Sequence, residues 1–190
     1  MVKKTAVLVY NSFCNFEISV ALEVLALGGR EITVFGVSKE PIQSEDGLTI
    51  IPQKGLDELI IDEYDSLLLP GAADIREAIE NPDVIDFIKQ FDKKIIGAIS
   101  IAPIMLVKAG LLSGKPFMAG INKDEIIEEG FSEEELSEMT GWDDNLKSPI
   151  EEGYIVSDNI ITSISYNFVR FGLKFGSMLG IDLPRGTFGI

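Results

Sequence analysis

Residues 95–103 read IIGAISIAP, and this stretch indicates both the fold and the position of a site. Ile95–Ile99 is a fully apolar run of the kind that forms a buried strand. Pro103 lacks an N–H and fits only the first turn of a helix, so a short buried helix is predicted over Ile101–Ala109. The strand therefore turns directly into a helix, and Ser100 lies at the junction.

A serine at such a junction has the geometry of a nucleophile elbow. The turn strains the backbone at the nucleophile and crowds the positions two residues before and after it, which here are the small residues Ala98 and Ala102. The N-terminus of the following helix directs free N–H groups and a positive dipole end toward whatever lies over Ser100, which suits an anion or oxyanion. Small residues are also common where strands pack on helices, so an ordinary packing turn is the alternative.

Strand-like and helix-like segments alternate along the rest of the chain. Apolar runs rich in β-branched residues predict strands at Thr5–Tyr10, Ile32–Val37 and Tyr64–Leu69. Apolar residues at helical spacing predict helices at Glu17–Leu27, at about Pro82–Phe91 and at Phe168–Leu179. Hairpins are predicted within 41–52, turning at Asp46-Gly47, and within 154–163, turning at Asp158-Asn159. This alternation indicates one α/β domain over residues 1–190, a doubly wound parallel sheet with helices on both faces.

The composition excludes several kinds of catalytic and metal site. The chain has no histidine, which removes Ser-His-Asp and Cys-His arrangements and every histidine metal ligand. Cys14 is the only cysteine, so neither an internal disulfide nor a cysteine zinc site is expected. We therefore predict no metal and no cofactor.

The charge and the longest apolar run bear on partners and location. The formal charge of −15 disfavours binding to nucleic acid or to an anionic membrane surface. The apolar run Ile95–Val107 is shorter than the roughly 18 residues that a membrane helix requires. We expect a soluble protein, and the single cysteine favours the cytoplasm.

Residues 123–152 form an acidic segment. It holds twelve acidic and two basic residues, and so carries ten of the fifteen net negative charges. Ser132 and Glu135 have the spacing of a capping box and predict a short helix, with Trp142 just beyond it. The segment is interpreted as a solvated helical surface, with an acidic lid or a partner surface as the alternative.

Two further features are expected at the same edge of the sheet as Ser100. Residues just past the carboxyl ends of neighbouring parallel strands line one crevice. The first strand leads to Glu17, and the strand Tyr64–Leu69 leads to Gly71 and Ala72. Taken singly, Glu17 could simply stabilise the dipole of the first helix, and Gly71 could be an ordinary loop glycine. Their expected placement at the same edge as Ser100 is what indicates a site.

The chain resembles the ThiJ/PfpI family, also called the DJ-one superfamily, of the class I glutamine amidotransferase-like fold. The residues that carry the resemblance are Glu17 at the start of the first helix, 64–71 (YDSLLLPG), 98–103 (AISIAP), Lys115–Asp124 and the hairpin Tyr154–Ser163. It extends from the first strand to about Asp182 and implies a flavodoxin-like fold.

The resemblance also implies a site. Family members typically have a cysteine at the elbow, hydrogen-bonded to the acid that corresponds to Glu17, and backbone N–H groups near Gly71, Ala72 and Ile101 that form an oxyanion pocket. Many members have a histidine after the strand that corresponds to Lys115–Ala119, whereas this chain has Ser100 at the elbow and no histidine. Members include proteases or amidases, glyoxalases, deglycases, isocyanide hydratases, chaperones and stress sensors, so membership alone does not determine the function.

The serine leaves two hypotheses of different class. An alcohol needs a base to remove its proton, and Glu17 is a poor base unless burial raises its pKa, so a small-ligand-binding or stress-response protein without the family's cysteine chemistry is favoured. The alternative is a hydrolase, amidase-like or protease-like, or a lyase that acts on a small carbonyl or acyl compound through Ser100 and Glu17. Cys14 lies close to Glu17 along the chain and is either a redox thiol or a small buried apolar residue.

Three structural expectations follow. Glu17 and Ser100 are predicted to lie within hydrogen-bond reach, and Ser100 is predicted to have a strained backbone. Burial of Glu17 is predicted to raise its pKa. The resemblance and the apolar content predict a homodimer.

Overall fold

The computed structural model describes residues 4–184 and 186–189. Seven strands of this part of the chain form the central sheet: β1 Lys4–Leu8, β2 Ile32–Gly36, β5 Lys54–Gly55, β6 Tyr64–Leu69, β7 Ile95–Ile99, β10 Ile155–Ser157 and β11 Ile160–Ser163. Two small two-stranded sheets lie outside it: β3 Ile42–Gln43 with β4 Thr49–Ile50, and β8 Phe117–Met118 with β9 Met139–Thr140.

The strand order of the central sheet is β10-β11-β7-β6-β1-β2-β5, and all neighbours are parallel except β10 and β11. From β1 the chain first adds strands on one side, β2 and β5, and then adds β6, β7 and β11 on the other. The strand order thus reverses between β1 and β6, which is where doubly wound sheets form their ligand crevice.

Helices flank the sheet, as the sequence predicts. They are α1 Asn15–Leu27, α2 Arg76–Glu80, α3 Pro82–Lys89, α4 Pro103–Lys108, α5 Lys123–Glu128, α6 Trp142–Lys147 and α7 Phe168–Met178. α1 packs against α7, and α2, α3 and α4 contact one another. A Cβ on Gly172 of α7 would lie 2.6 Å from the backbone nitrogen of Ala21 in α1, so the glycine permits this close packing. The α1–α7 contact holds the helix that carries Glu17.

Most predicted elements are present with small shifts of their ends. The predicted hairpin around Asp46-Gly47 forms as β3 and β4, and the hairpin around Asp158-Asn159 forms as β10 and β11. Several elements have no counterpart in the sequence prediction, among them the edge strand β5, the strand β9 and the short helix α2. They are too short to give a periodic signal.

The acidic segment 123–152 is more anchored than its charge indicates. Four of its apolar side chains are buried, those of Ile126, Phe131, Leu136 and Met139. The capping-box hydrogen bonds between Ser132 and Glu135 form, but turns follow them instead of the predicted helix. A helix there would place like charges one turn apart, as at Glu134 and Glu138, and this disfavours it.

Among the described residues, no helix has both the length and the apolar content needed to cross a membrane.

Candidate functional site

Three loops meet at the reversal of strand order. β1 leads to α1 and Glu17, β6 leads to Gly71, and β7 leads to Ser100. The three residues are in direct contact, because a Cβ built on Gly71 would lie 2.5 Å from Ser100 Cβ and 2.6 Å from Glu17 Oε2. The structure therefore brings together the carboxyl, the hydroxyl and the glycine turn that the sequence places at one edge.

Ser100 has the strained backbone expected at an elbow. Its φ is 64°, in the left-handed region that residues with a Cβ rarely adopt. Two backbone hydrogen bonds hold it there: its N–H donates to Ser163 O at 2.8 Å, and its carbonyl accepts from Gly120 N–H at 2.7 Å. β11 on one side and the loop after β8 on the other thus fix the direction of the Ser100 side chain.

Glu17 is buried, with 1% of its surface exposed. Its Oε2 accepts a hydrogen bond of 2.7 Å from Gly71 N–H. Burial raises the pKa of Glu17, and the carboxylate of Glu45 raises it further. Hydrogen bonds from the hydroxyls of Ser165 and Ser100 and from Gly71 N–H lower the pKa and partly offset this rise. The net shift is upward, because the loss of hydration on burial outweighs the hydrogen bonds.

Ser165 is a site residue that the sequence analysis missed. It opens a short 3-10 helix, Ser165–Asn167, directly after β11, and its hydroxyl donates to Ser100 Oγ at 3.0 Å. β11 is the sheet neighbour of β7, so its carboxyl end lies beside Ser100. The pairing of these strands, which the sequence analysis did not assign, is the signal that places Ser165 in the crevice.

Of the three backbone N–H groups expected to form an oxyanion pocket, only two are free to bind a ligand. Gly71 N–H already donates to Glu17 and so serves to position the carboxyl. The N–H groups of Ala72 and Ile101 donate to no protein acceptor within residues 4–184. These two are therefore the backbone donors open to a ligand beside Ser100.

Cys14 lies near the site but in surroundings that disfavour a thiolate. Its backbone N–H donates to Gly71 O at 2.8 Å, and its Sγ donates to Glu45 Oε2 at 3.0 Å. Burial raises the pKa of the Cys14 thiol well above its usual range, and the carboxylates of Glu45 and Glu17 raise it further. A thiol that stays protonated is a weak nucleophile and a slow redox group. Glu45, which the sequence analysis did not single out, reaches this position from the β3–β4 hairpin.

Glu17→Gln is expected to change the pH dependence of stability. A raised pKa in the folded state means that the stability of the wild type falls as pH rises from about 4.5 through the folded-state pKa, because the folded protein must lose a proton that it holds more tightly. Glutamine keeps the shape and the acceptor for Gly71 N–H but cannot ionise. The variant is therefore expected to gain stability relative to the wild type as pH rises, as measured by urea unfolding between pH 4 and pH 8.

Glu23→Gln, at an exposed position of the same helix, is the matched control for loss of a carboxyl group from α1. If the Glu17→Gln difference from the wild type does not change with pH, Glu17 does not carry a raised pKa.

Comparison with known proteins places this geometry in a family. The model of the DJ-1/PfpI family matches residues 3–176. The chain belongs to the DJ-1/PfpI family. The resemblance found in the sequence is confirmed over most of the chain, including all three loops of the candidate site.

Two curated relatives and two solved structures show how distant the individual DJ-1/PfpI likenesses are. The glutathione-independent glyoxalase DJR-1.2 of Caenorhabditis elegans is 27% identical over 151 residues, which is 78% of this chain and 73% of the relative. The deglycase TK1284 of Thermococcus kodakarensis is 27% identical over 114 residues, which is 59% of this chain and 69% of the relative.

Drosophila melanogaster DJ-1beta has a TM-score of 0.77 at 21% identity, with full coverage of both chains. The DJ-1 superfamily protein Atu0886 of Agrobacterium tumefaciens has a TM-score of 0.79 at 17% identity and covers 98% of this chain and 94% of its own. At these identities the structures show a shared fold, and the function must be argued from the site.

Proposed function

We propose that this DJ-1/PfpI protein binds a small carbonyl or acyl compound over Ser100 by donating hydrogen bonds to its oxygen, without the cysteine chemistry of the family. The observation that carries the proposal is the excess of donors over bases around Ser100. The N–H groups of Ala72 and Ile101 have no acceptor among the described residues, and the Ser100 hydroxyl, which accepts from Ser165, can turn its own proton from Glu17 to a ligand.

The same surroundings lack a group that would activate the serine. The hydroxyl needs a base to accept its proton in nucleophilic attack. Ser165 donates to Ser100 Oγ and is itself a neutral alcohol, the Glu17 carboxyl already accepts from Gly71 N–H, and the chain has no histidine to act as a base. A ligand whose carbonyl oxygen accepts hydrogen bonds therefore fits the site better than a substrate whose carbonyl carbon the serine must attack.

The relatives support the class of ligand. One is named a glutathione-independent glyoxalase and another a deglycase. Both names point to carbonyl chemistry, and a carbonyl oxygen is the acceptor that the donors of this site suit. The serine in place of the expected cysteine supports a role as a binding or stress-response protein.

Titration with propanone, followed by amide NMR, tests the binding directly. The amide protons of Ala72 and Ile101 are expected to shift saturably, because a carbonyl oxygen accepts from them. Ser100→Ala should weaken the binding severalfold by removing one donor. Ser113→Ala, at an exposed position away from the site, should leave the binding unchanged.

An assay with methylglyoxal separates this proposal from the enzymatic alternative. The wild type and Ser100→Ala are expected to consume methylglyoxal at the same background rate. Consumption by the wild type that Ser100→Ala abolishes would contradict the proposal and favour an enzyme that uses Ser100 and Glu17.

We also propose that the protein is a homodimer. Large apolar side chains are exposed, among them Leu48 and Ile51 on and beside the β3–β4 hairpin and Phe16 at the start of α1. A second copy that covers them would remove apolar surface from water. Sedimentation equilibrium is expected to show twice the chain mass, and a 20.8 kDa species across micromolar concentrations would contradict the dimer.

A further inference from the structure

A cleft of about 440 Å³ opens beside the elbow. Ala73, Ile101 and Ile121 are among the residues that line it. Ala73 follows Ala72, which has one of the two free N–H groups, and Ile101 has the other. Ile121 follows Gly120 along the chain. Gly120 N–H donates to the Ser100 carbonyl, so Ile121 is adjacent to the elbow. The cleft therefore lies beside the turn that carries Ser100, with Ile101 common to the cleft and to the N–H donors.

The inner surface of the cleft is apolar and built largely from isoleucine. Ile104 and Ile126 are buried at its base, whereas Ile79, Ile101 and Ile121 are half-buried and present part of their surface to it. Apolar surface that faces a cleft of this size gains free energy when an apolar group replaces water there.

The charges lie at the mouth of the cleft, where carboxylates and cations are interspersed. Arg76 binds Asp74 through its guanidinium, and its pKa is raised first by that carboxylate and then by Glu129 and Glu80. Lys108 Nζ lies 5.7 Å from the centroid of the Phe131 ring. The mouth thus has three carboxylates against two cations. This excess of negative charge disfavours a second anionic group on a ligand.

We infer that this cleft binds the uncharged, branched aliphatic tail of the carbonyl compound whose oxygen lies over Ser100. The inference rests on the proposed function and adds the class of substituent that the ligand carries. It also gives the acidic segment 123–152 a role, because Ile126, Glu129 and Phe131 of that segment form one wall.

Three ketones that differ only in the tail test the inference by NMR with labelled isoleucine methyl groups. They are propanone with a methyl group, 4-methylpentan-2-one with an isobutyl group, and 4-oxopentanoate with a carboxylate tail. The isobutyl ketone is expected to bind about tenfold more tightly than propanone, from the burial of its extra carbons, and the carboxylate ketone no more tightly than propanone. The methyl signals of Ile79, Ile104 and Ile121 should shift with the isobutyl ketone only.

Ile79→Phe fills the cleft from its half-buried side. It is expected to remove the preference for the isobutyl ketone while leaving propanone binding unchanged, whereas Ile60→Phe, at an exposed position outside the cleft, should preserve the preference. The methyl shifts of the wild type test the same point without any variant, so misfolding of Ile79→Phe would not decide the result.

The outcomes separate the two proposals. Equal affinities for propanone and the isobutyl ketone, with unmoved cleft methyl groups, would overturn the tail assignment and leave the proposed function intact. Binding of the isobutyl ketone that moves cleft methyl groups but is insensitive to Ser100→Ala would overturn the proposed function, and with it the tail assignment. Failure of all three ketones to bind would overturn both.

Discussion

Ser100→Cys, made together with Cys14→Ala, is expected to give a thiol with a pKa below about 7, against about 8.5 for a free cysteine. Ser165 Oγ, which donates to Ser100 Oγ, would then donate to a sulfur atom, and the free N–H groups of Ala72 and Ile101 lie in the loops that meet at this position. Each of these donors stabilises a thiolate within its reach. Their sum is expected to exceed the opposing effects of burial and of the Glu17 carboxyl.

Thiolate absorbance in the ultraviolet, followed against pH, measures this pKa. The Cys14→Ala background removes the only natural thiol. Ser113→Cys in the same background supplies an exposed thiol for comparison and should titrate like a free cysteine. If the cysteine at position 100 titrates with it, the donors do not converge on the elbow and the proposed function loses its basis.

Gly71→Ala is expected to destabilise the protein by about 2 kcal/mol and to disrupt the site, because overpacking of a filled interior costs about 1–3 kcal/mol. The added Cβ would lie 2.5 Å from Ser100 Cβ and 2.6 Å from Glu17 Oε2. Neither atom has room to move, since Ser100 is held by two backbone hydrogen bonds and Glu17 is buried. Urea unfolding measures the stability, and propanone binding should be lost in the folded variant.

Gly55→Ala is the matched control for that substitution. Gly55 also has an ordinary extended backbone, with a φ of −78°, and its added Cβ would meet only the flexible end of the Asp57 side chain at 2.7 Å. Its effect on stability should stay within about 0.5 kcal/mol although Gly55 is buried, because the Asp57 carboxylate can turn away from the added methyl group. Equal losses for the two alanine variants would show that the crowding at Gly71 is not specific to the site.

Local sequence was sufficient to predict the strand, the turn and the helix that position Ser100. The apolar run before Ser100, the small residues on either side of it and Pro103 predict a strand that turns into a helix, and the structure has this turn with a φ of 64° at Ser100. The order of strands and helices placed Glu17 and Gly71 at the same edge, and they lie there. Residues adjacent along the chain carry these signals, which is why the sequence alone reveals them.

The sequence by itself determined the alternation of strands and helices, the family resemblance, the absence of histidine and the position of Ser100 at the turn from strand to helix. Only the tertiary structure decided which distant groups complete the site. Ser165 lies 65 residues from Ser100 along the chain, and it reaches the Ser100 hydroxyl because β11 pairs with β7. Glu45 reaches Cys14 from a hairpin outside the central sheet. The acidic segment contributes the buried side chains of Ile126 and Phe131 to the cleft, although its high charge predicts a solvated surface. The physical reason is that hydrogen bonds, burial and pKa shifts depend on distances in space, and those distances exist only after the sheet has brought the ends of its strands together.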